Sequence, residues 1–118
     1  MSIQRLQSNA RLSHAVSYNG LVYLTGQTAE DCSVGVEAQT QEILARIDGL
    51  LAEAGSDKSR ILYAQVWLKH VVRDFDAMNS VWEPWVAPGC SPARATVEAN
   101  LADDDILVEI AIQAAVNV

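Results

Sequence analysis

The stretch ILVEIAIQAAV, residues 106–116, decides the fold of this chain, because it is largely apolar and still alternates with period two. This pattern predicts a β-strand with two different faces. One face carries Glu109 and Gln113 among small and aliphatic residues, which is too apolar for open solvent and suits burial against another subunit. The other face is fully apolar and is expected to pack against helices; it contains Ile106, Val108, Ile110, Ile112 and Ala114.

The segment Arg94–Leu101 precedes this strand and is joined to it by the acidic turn Asp103-Asp104-Asp105. We expect the two segments to form an antiparallel pair that places Arg94 opposite the region of Glu109 to Gln113. Two interpretations of that pair stay open. Arg94 and Glu109 form a structural ion pair, or the guanidinium binds a substrate carboxylate while the Glu acts on a water molecule.

The remaining elements follow from turn signals and periodicity. Asn19-Gly20 indicates a hairpin of the strands His14–Tyr18 and Leu21–Gln27, after a short strand at Ile3–Leu6. Apolar residues recurring at three and four predict a helix over Val36–Ala54, which Gly55 ends.

A further strand is predicted at Ile61–Leu68, where β-branched and aromatic residues are frequent. Asp74 is expected to cap a second helix that ends near Pro88-Gly89, and Trp82 on that helix is expected in the core or at a subunit interface. The order β-ββ-α-β-α-ββ predicts an α+β domain spanning residues 1–118. Its single mixed β-sheet would carry both helices on one face.

Composition limits the class of partner. The chain has 118 residues and a formal charge of −7, which argues against binding to nucleic acid or an anionic membrane. Its cysteines, Cys32 and Cys90, are expected to be free thiols in a reducing compartment, and the sequence predicts a cytoplasmic protein. His14 and His70 lack the spacing of a metal site, so we expect no bound metal.

The motif Ser91-Pro-Ala-Arg-Ala-Thr-Val-Glu98, followed by Ile106-Leu-Val-Glu-Ile110, resembles the signature of the RidA/YjgF family. In that signature a PAR-x-x-V-E strand precedes the Glu of a V-E-I strand, and Arg94 and Glu109 are the corresponding pair here. The similarity also includes Leu24-Thr-Gly-Gln27, the segment from Asp74-Phe75 to Asn79, and Gly55.

The resemblance implies a homotrimer of chorismate-mutase-like α+β subunits, with sites in the clefts between neighbours. It implies hydrolysis of 2-imino or 2-enamino acids to 2-keto acids and ammonia, without a cofactor. By the same resemblance Arg94 would bind the substrate carboxylate and Glu109 would orient the attacking water. The backbone around Gly26 and Thr96 would hold the ligand.

The chain departs from the family pattern at two proposed site positions. Leu12 stands where many members have Tyr, which leaves substrate choice open, and Thr96 stands where many have Cys, which argues against a thiol mechanism. His14 and Asn79 are further candidates for substrate contact. The alternatives are a non-catalytic trimer that binds small carboxylates or regulates, and a pathway-specific enamine deaminase such as one acting on a muconate-type enamine.

Overall fold

The computed structural model describes residues 2–117. Its element order matches the order expected from the sequence. No helix in this range is long and apolar enough to cross a membrane. The strands are β1 (Gln4–Ser8), β2 (Ser13–Tyr18), β3 (Leu21–Gln27), β4 (Ile61–Leu68), β5 (Ala93–Glu98) and β6 (Val108–Ala115), and the helices are α1 (Val36–Glu53) and α2 (Val71–Trp85).

The six strands form one sheet in the order β1-β2-β3-β6-β4-β5. The sheet is mixed, because β5 runs parallel to β4 whereas the other neighbouring strands are antiparallel. The predicted α+β class with a single mixed sheet is therefore confirmed.

Both helices cover the same side of the sheet, which we call the helix face. Helix α1 packs on β3 and β6, and α2 packs on β4 and on α1. The buried positions of β6 point to this side, as its period-two pattern predicts. They are Val108, Ile110, Ile112 and Ala114. The opposite side, which we call the open face, has no covering layer among residues 2–117.

Local turn signals are reproduced in the structure. Asn19 and Gly20 have φ angles of 53° and 80°, the left-handed values that a two-residue hairpin turn requires at both positions. Gly55 follows the end of α1 with φ of 81°, so the residue expected to stop this helix does so.

The predicted pairing of the last two strands is wrong. Strand β5 pairs in parallel with β4 at the edge of the sheet, and β6 lies between β3 and β4. The physical reason is burial: β6 has an apolar residue at every position of its helix-facing side, so a central place buries more of it than an edge would. The more polar β5 is left at the edge.

The predicted cap of α2 is also wrong. The helix begins at Val71, one turn before the expected start, and Asp74 lies within its first turn. Glu98 at the end of β5 accepts a hydrogen bond from the Val71 backbone N–H at 3.0 Å. A side chain distant in sequence therefore caps this terminus, while Asp74 is buried and binds both Nε and Nη2 of Arg73.

Gln39, fully buried in α1, fixes the connection from β5 to β6. Its Nε2 donates to the carbonyl oxygens of Val34 and Asp105 at 3.0 and 3.1 Å, and its Oε1 accepts from the Leu107 N–H at 3.0 Å. These bonds hold the backbone that enters β6 just before Glu109.

We predict that Gln39→Leu lowers the free energy of unfolding by about 2 to 4 kcal/mol, because three backbone groups lose their buried partner. Urea denaturation followed by circular dichroism measures this change. The exposed Gln41 of the same helix provides the matched control, and Gln41→Leu should change stability by no more than about 0.5 kcal/mol. Equal effects of the two substitutions would show that the hydrogen bonds of Gln39 to the connection between β5 and β6 do not stabilise the fold.

Candidate active site

Glu109 lies on the open face, near one end of the central strand. It is opposite Trp67 of β4, and its side chain is partly buried. This burial raises the pKa of the Glu109 carboxyl above its ordinary value. No hydrogen bond or ion pair to this carboxylate comes from residues 2–117, so the position holds an acid without a compensating partner.

Gly26 lies directly against Glu109. A Cβ at Gly26 would overlap Oε2 of Glu109 and would lie 2.9 Å from its Cδ. The contact occurs where the register between β3 and β6 shifts, between Leu24 and Gln27. The absence of a side chain at Gly26 therefore makes the space that the carboxylate occupies.

His14 and Leu12 occupy the same end of the sheet as Gly26. Nδ1 of His14 is hydrogen-bonded to Nε2 of the buried Gln27 at 3.3 Å. Leu12 is at the turn between β1 and β2, where its side chain is 44% exposed. Asn9 shapes this turn by accepting hydrogen bonds from the Arg11 and Leu12 backbone N–H groups.

Arg94 lies on the edge strand and contacts α2. Its Nη1 donates to Oδ1 of Asn79 at 2.7 Å, and its Cζ is 5.9 Å from the ring centroid of Phe75 and 5.3 Å from that of Trp82. Burial lowers the pKa of Arg94, while the charge of Glu83 acts in the opposite direction. The guanidinium stays cationic because its ordinary pKa is so high.

Thr96 shares the strand and the face of Arg94. Its Oγ1 is buried and has no hydrogen-bond partner within residues 2–117. Asn79, a candidate for substrate contact, uses its amide oxygen on Arg94 instead. Arg94, Thr96 and Asn79 therefore form one group of site residues, and Glu109 with Gly26 forms another.

These two groups are on opposite faces of the sheet. Arg94 is the register partner of Ala64 in β4, and Ala64 is the register partner of Ile112 in β6. The side chain of Arg94 therefore leaves the sheet on the helix face, as that of Ile112 does. Glu109 is an odd number of residues from Ile112 on the same strand, so its side chain points to the opposite side, the open face. The expected direct pairing of Arg94 with Glu109 does not occur within the chain, and β4 separates their strands. The ion pairs within residues 2–117 join Arg46 to Glu30, Lys69 to Asp104 and Arg73 to Asp74.

Sequence reasoning did not assign Phe75 and Trp82 to the site. Trp82 is expected only in the core or at a subunit interface, and Phe75 only as part of the family motif, yet the sequence does contain a signal for a site role. Phe75, Asn79 and Trp82 recur at the helical spacings of four and three, which puts an amide between two aromatic rings on one side of the helix. The signal becomes specific only when the fold places Arg94 beside that stripe.

The chain is similar to proteins of one family over nearly its whole length. The family model described as Endoribonuclease L-PSP matches residues 2–116. A RutC family protein of Haemophilus ducreyi is 44% identical over 115 residues, which cover 98% of this chain and 97% of that protein. The RutC family protein YoaB of Escherichia coli is 42% identical over 116 residues, covering 98% of this chain and 100% of YoaB.

Solved structures show the same similarity. The crystal structure of NMB1025 from Neisseria meningitidis, described as a member of the YjgF protein family, superposes with a TM-score of 0.94 at 43% identity. The match covers 100% of this chain and 98% of that one.

We predict that Gly26→Ala lowers the free energy of unfolding by about 1 to 3 kcal/mol, because the new Cβ displaces the partly buried Glu109 side chain. Much of this cost should disappear when the same substitution is made in a Glu109→Ala background. A double-mutant cycle from urea denaturation measures the coupling, expected at about 1 kcal/mol. Gly35→Ala is the control, because a Cβ at Gly35 meets open space. Additive effects of the Gly26 and Glu109 changes would show that the two residues do not compete for this space.

Proposed function

This chain belongs to the RidA/YjgF family, and from that premise we propose that it hydrolyses 2-imino and 2-enamino acids to 2-keto acids and ammonia. The observation that supports the proposal is the pair of partly buried, oppositely charged side chains that have no ionic partner within residues 2–117. Arg94 is a cation with free N–H groups, and Glu109 is a potential base. Groups left in this state are suited to a ligand that carries both a carboxylate and a reactive carbon.

The proposed reaction assigns one task to each group. The Arg94 guanidinium binds the substrate carboxylate through two N–H bonds, which places C2 of the imine at a defined position. Glu109 accepts a proton from a water molecule while the oxygen of that water bonds to C2. At the same time the π electron pair of the C=N bond moves to nitrogen. Glu109 returns this proton to the nitrogen and then carries the hydroxyl proton of the tetrahedral intermediate to the same nitrogen. The C–N bond then breaks, ammonia leaves, and the C=O bond of the 2-keto acid forms. An enamine enters the same path after it tautomerises to the imine.

The opposite faces of Arg94 and Glu109 support a site shared between subunits. In one chain β4 separates their strands, so a single small substrate meets both groups when the helix side of β5 from one subunit adjoins the open face of its neighbour. We propose a homotrimer in which each interface contains one such site.

The open face has the character of a surface that is covered in the assembly. Tyr23 is 43% exposed and Val97 is 45% exposed, and both lie on this face. Tyr23 also lines a groove of about 280 Å³, together with Tyr63, Trp67 and Gln113. Aromatic and aliphatic groups of this kind are typical of the core of a subunit interface.

The name of the matching family model refers to an endoribonuclease, but the charge of this chain favours the small-molecule reaction. A protein that binds RNA needs a positive field to attract phosphate, whereas this chain has a net charge of −7. One guanidinium fixed by an amide and two rings suits a single carboxylate. The remaining alternative, a trimer that binds carboxylates without catalysis, would use Arg94 but not the basicity of Glu109.

We predict that kcat/KM for a freshly generated 2-imino acid falls as pH falls through the pKa of Glu109, because the carboxylate is the active form. Since burial raises this pKa, the acid limb should lie at higher pH than an ordinary Glu would give. Glu109→Gln should lower kcat by about 10²- to 10⁴-fold and remove the limb, while a 2-keto acid still binds. A loss of less than about tenfold would favour the non-catalytic alternative.

We also predict that two inactive variants complement each other. Arg94→Ala lacks the carboxylate-binding group and Glu109→Gln lacks the base, so each homotrimer should be nearly inactive. In trimers refolded from an equal mixture, about a quarter of the shared sites should combine an intact Arg94 with an intact Glu109 from the neighbour. Ammonia release should therefore return to about a quarter of the wild-type rate.

Light scattering provides the control for this experiment, because all samples must have three times the chain mass of 12.8 kDa. No recovery of activity in correctly assembled mixed trimers would show that Arg94 and Glu109 of the same chain serve one site, or that they share none.

A further inference from the structure

One stripe of α2 surrounds the Arg94 guanidinium. Phe75 and Trp82 are about two turns apart, with ring centroids 5.9 and 5.3 Å from Cζ of Arg94. Asn79 lies between them and accepts a hydrogen bond from Nη1 at 2.7 Å. The distances from Cζ of Arg94 to the two ring centroids are within the range at which an aromatic ring attracts a cation.

This environment holds the cation without neutralising it. A carboxylate partner would occupy N–H groups of Arg94 and cancel its charge, whereas the face of an aromatic ring does neither. Asn79 is neutral and uses only Nη1. Within residues 2–117, Nε and Nη2 make no hydrogen bond, and these two atoms form one edge of the planar guanidinium. That edge matches the two oxygens of a carboxylate.

The Trp82 ring is itself held in place by a second aromatic ring, that of Trp85. Trp82 is 6% exposed, and its ring centroid is 5.4 Å from that of Trp85. Nε1 of Trp85 donates to Oδ2 of Asp48 in α1 at 3.1 Å, and the Lys58 ammonium lies 5.5 Å from the Trp85 ring centroid. The position of the ring beside Arg94 is therefore tied to the packing between the two helices.

We propose that Phe75 and Trp82 are positioning residues for Arg94, holding its guanidinium so that Nε and Nη2 bind the two oxygens of the substrate carboxylate. This inference rests on the proposed function and adds the device that prepares Arg94 for it. A long Arg side chain loses rotamer entropy when it becomes fixed on binding a ligand. The two rings reduce that loss because the guanidinium is already held before the substrate arrives.

The test compares variants that remove the ring and keep an apolar side chain. Phe75→Leu and Trp82→Leu should each raise KM for a 2-imino acid, and weaken binding of 2-ketobutyrate in calorimetry, by roughly 3- to 30-fold. The value of kcat should change much less than KM, because the carboxylate contact is present in both the ground state and the transition state. Phe75→Tyr and Trp82→Phe keep a ring face and should restore most of the affinity.

Val81→Ala is the matched control, because Val81 packs α2 against the core and its removal loosens the helix. It should lower the melting temperature with KM within about twofold of the wild-type value. Phe75 is 39% exposed, so Phe75→Leu tests the proposal even if Trp82→Leu does not fold. Unchanged KM and affinity in Phe75→Leu, or changes equal to those of Val81→Ala, would overturn the proposal.

A second measurement reports on Arg94 itself. In nitrogen-15 NMR spectra the Arg94 Nε–H signal, assigned by its loss in Arg94→Ala, should be sharp and shifted by the rings in the ligand-free protein. It should broaden or move toward the ordinary arginine position in Phe75→Leu, but not in Val81→Ala. An Arg94 signal that is the same in all three proteins would contradict a positioning role for the rings.

Failure of the proposed function has a different signature. If the wild-type protein neither releases ammonia from imino acids nor binds 2-ketobutyrate, and Arg94→Ala changes neither result, the proposed function is wrong and the positioning role falls with it. If the wild-type protein is active and depends on Arg94 while the ring variants match Val81→Ala, only the positioning role is wrong.

Discussion

The insertion of β6 between β3 and β4 is the constraint on which the rest of the structure depends. Because one side of β6 is entirely apolar, the strand lies under α1. Side chains alternate along a strand, so Glu109, between two residues of the apolar side, points to the open face. The same insertion separates β5 from β6, so β5 joins the sheet only at the edge and in parallel with β4. A parallel pair needs a crossover, which is α2, and this crossover brings the aromatic stripe to Arg94.

The sequence predicts the local features of this architecture and fails where distant segments compete. The Asn19-Gly20 turn, the extent of β3 and the stop at Gly55 depend on neighbours in the chain, and the structure reproduces them. The pairing of β5 with β4 depends on which strand gains most from the centre of the sheet. The acidic turn predicted at Asp103-Asp104-Asp105 misleadingly favours direct pairing of β5 with β6. The prediction of where α2 starts fails for the same reason, because the residue that caps this helix, Glu98, is distant in sequence. Of the candidate site, the residue types were predictable but their division between two faces was not.

The contrast between satisfied and unsatisfied polar groups marks the functional region. Gln39 and Thr40 are fully buried in α1, and their side chains are hydrogen-bonded to backbone carbonyls. Ser56 likewise donates to the Ala115 carbonyl at 2.6 Å. Arg94, Thr96 and Glu109 differ within residues 2–117. The partly buried Arg94 has a neutral hydrogen-bond partner but no ionic one, the buried Thr96 hydroxyl has no partner, and neither has the partly buried Glu109 carboxylate. Unpartnered buried groups destabilise a fold, and Nε of Arg60, away from the proposed site, is another within residues 2–117. At the proposed site, a ligand or a neighbouring subunit would supply the missing partners.

The placement of the two charges also limits how the proposed subunits meet. A twofold dimer uses the same patch on both partners, so Arg94 and Glu109 would have to lie on one continuous surface to be joined twice. They project from opposite faces of the sheet, and a contact between them is therefore head-to-tail, with a different surface from each subunit. A head-to-tail contact leaves one free copy of each surface unless the chain of subunits closes into a ring. In the proposed assembly, closure of the ring would complete every site, and the position of β6 in the sheet would then constrain the symmetry of the assembly as well as the fold.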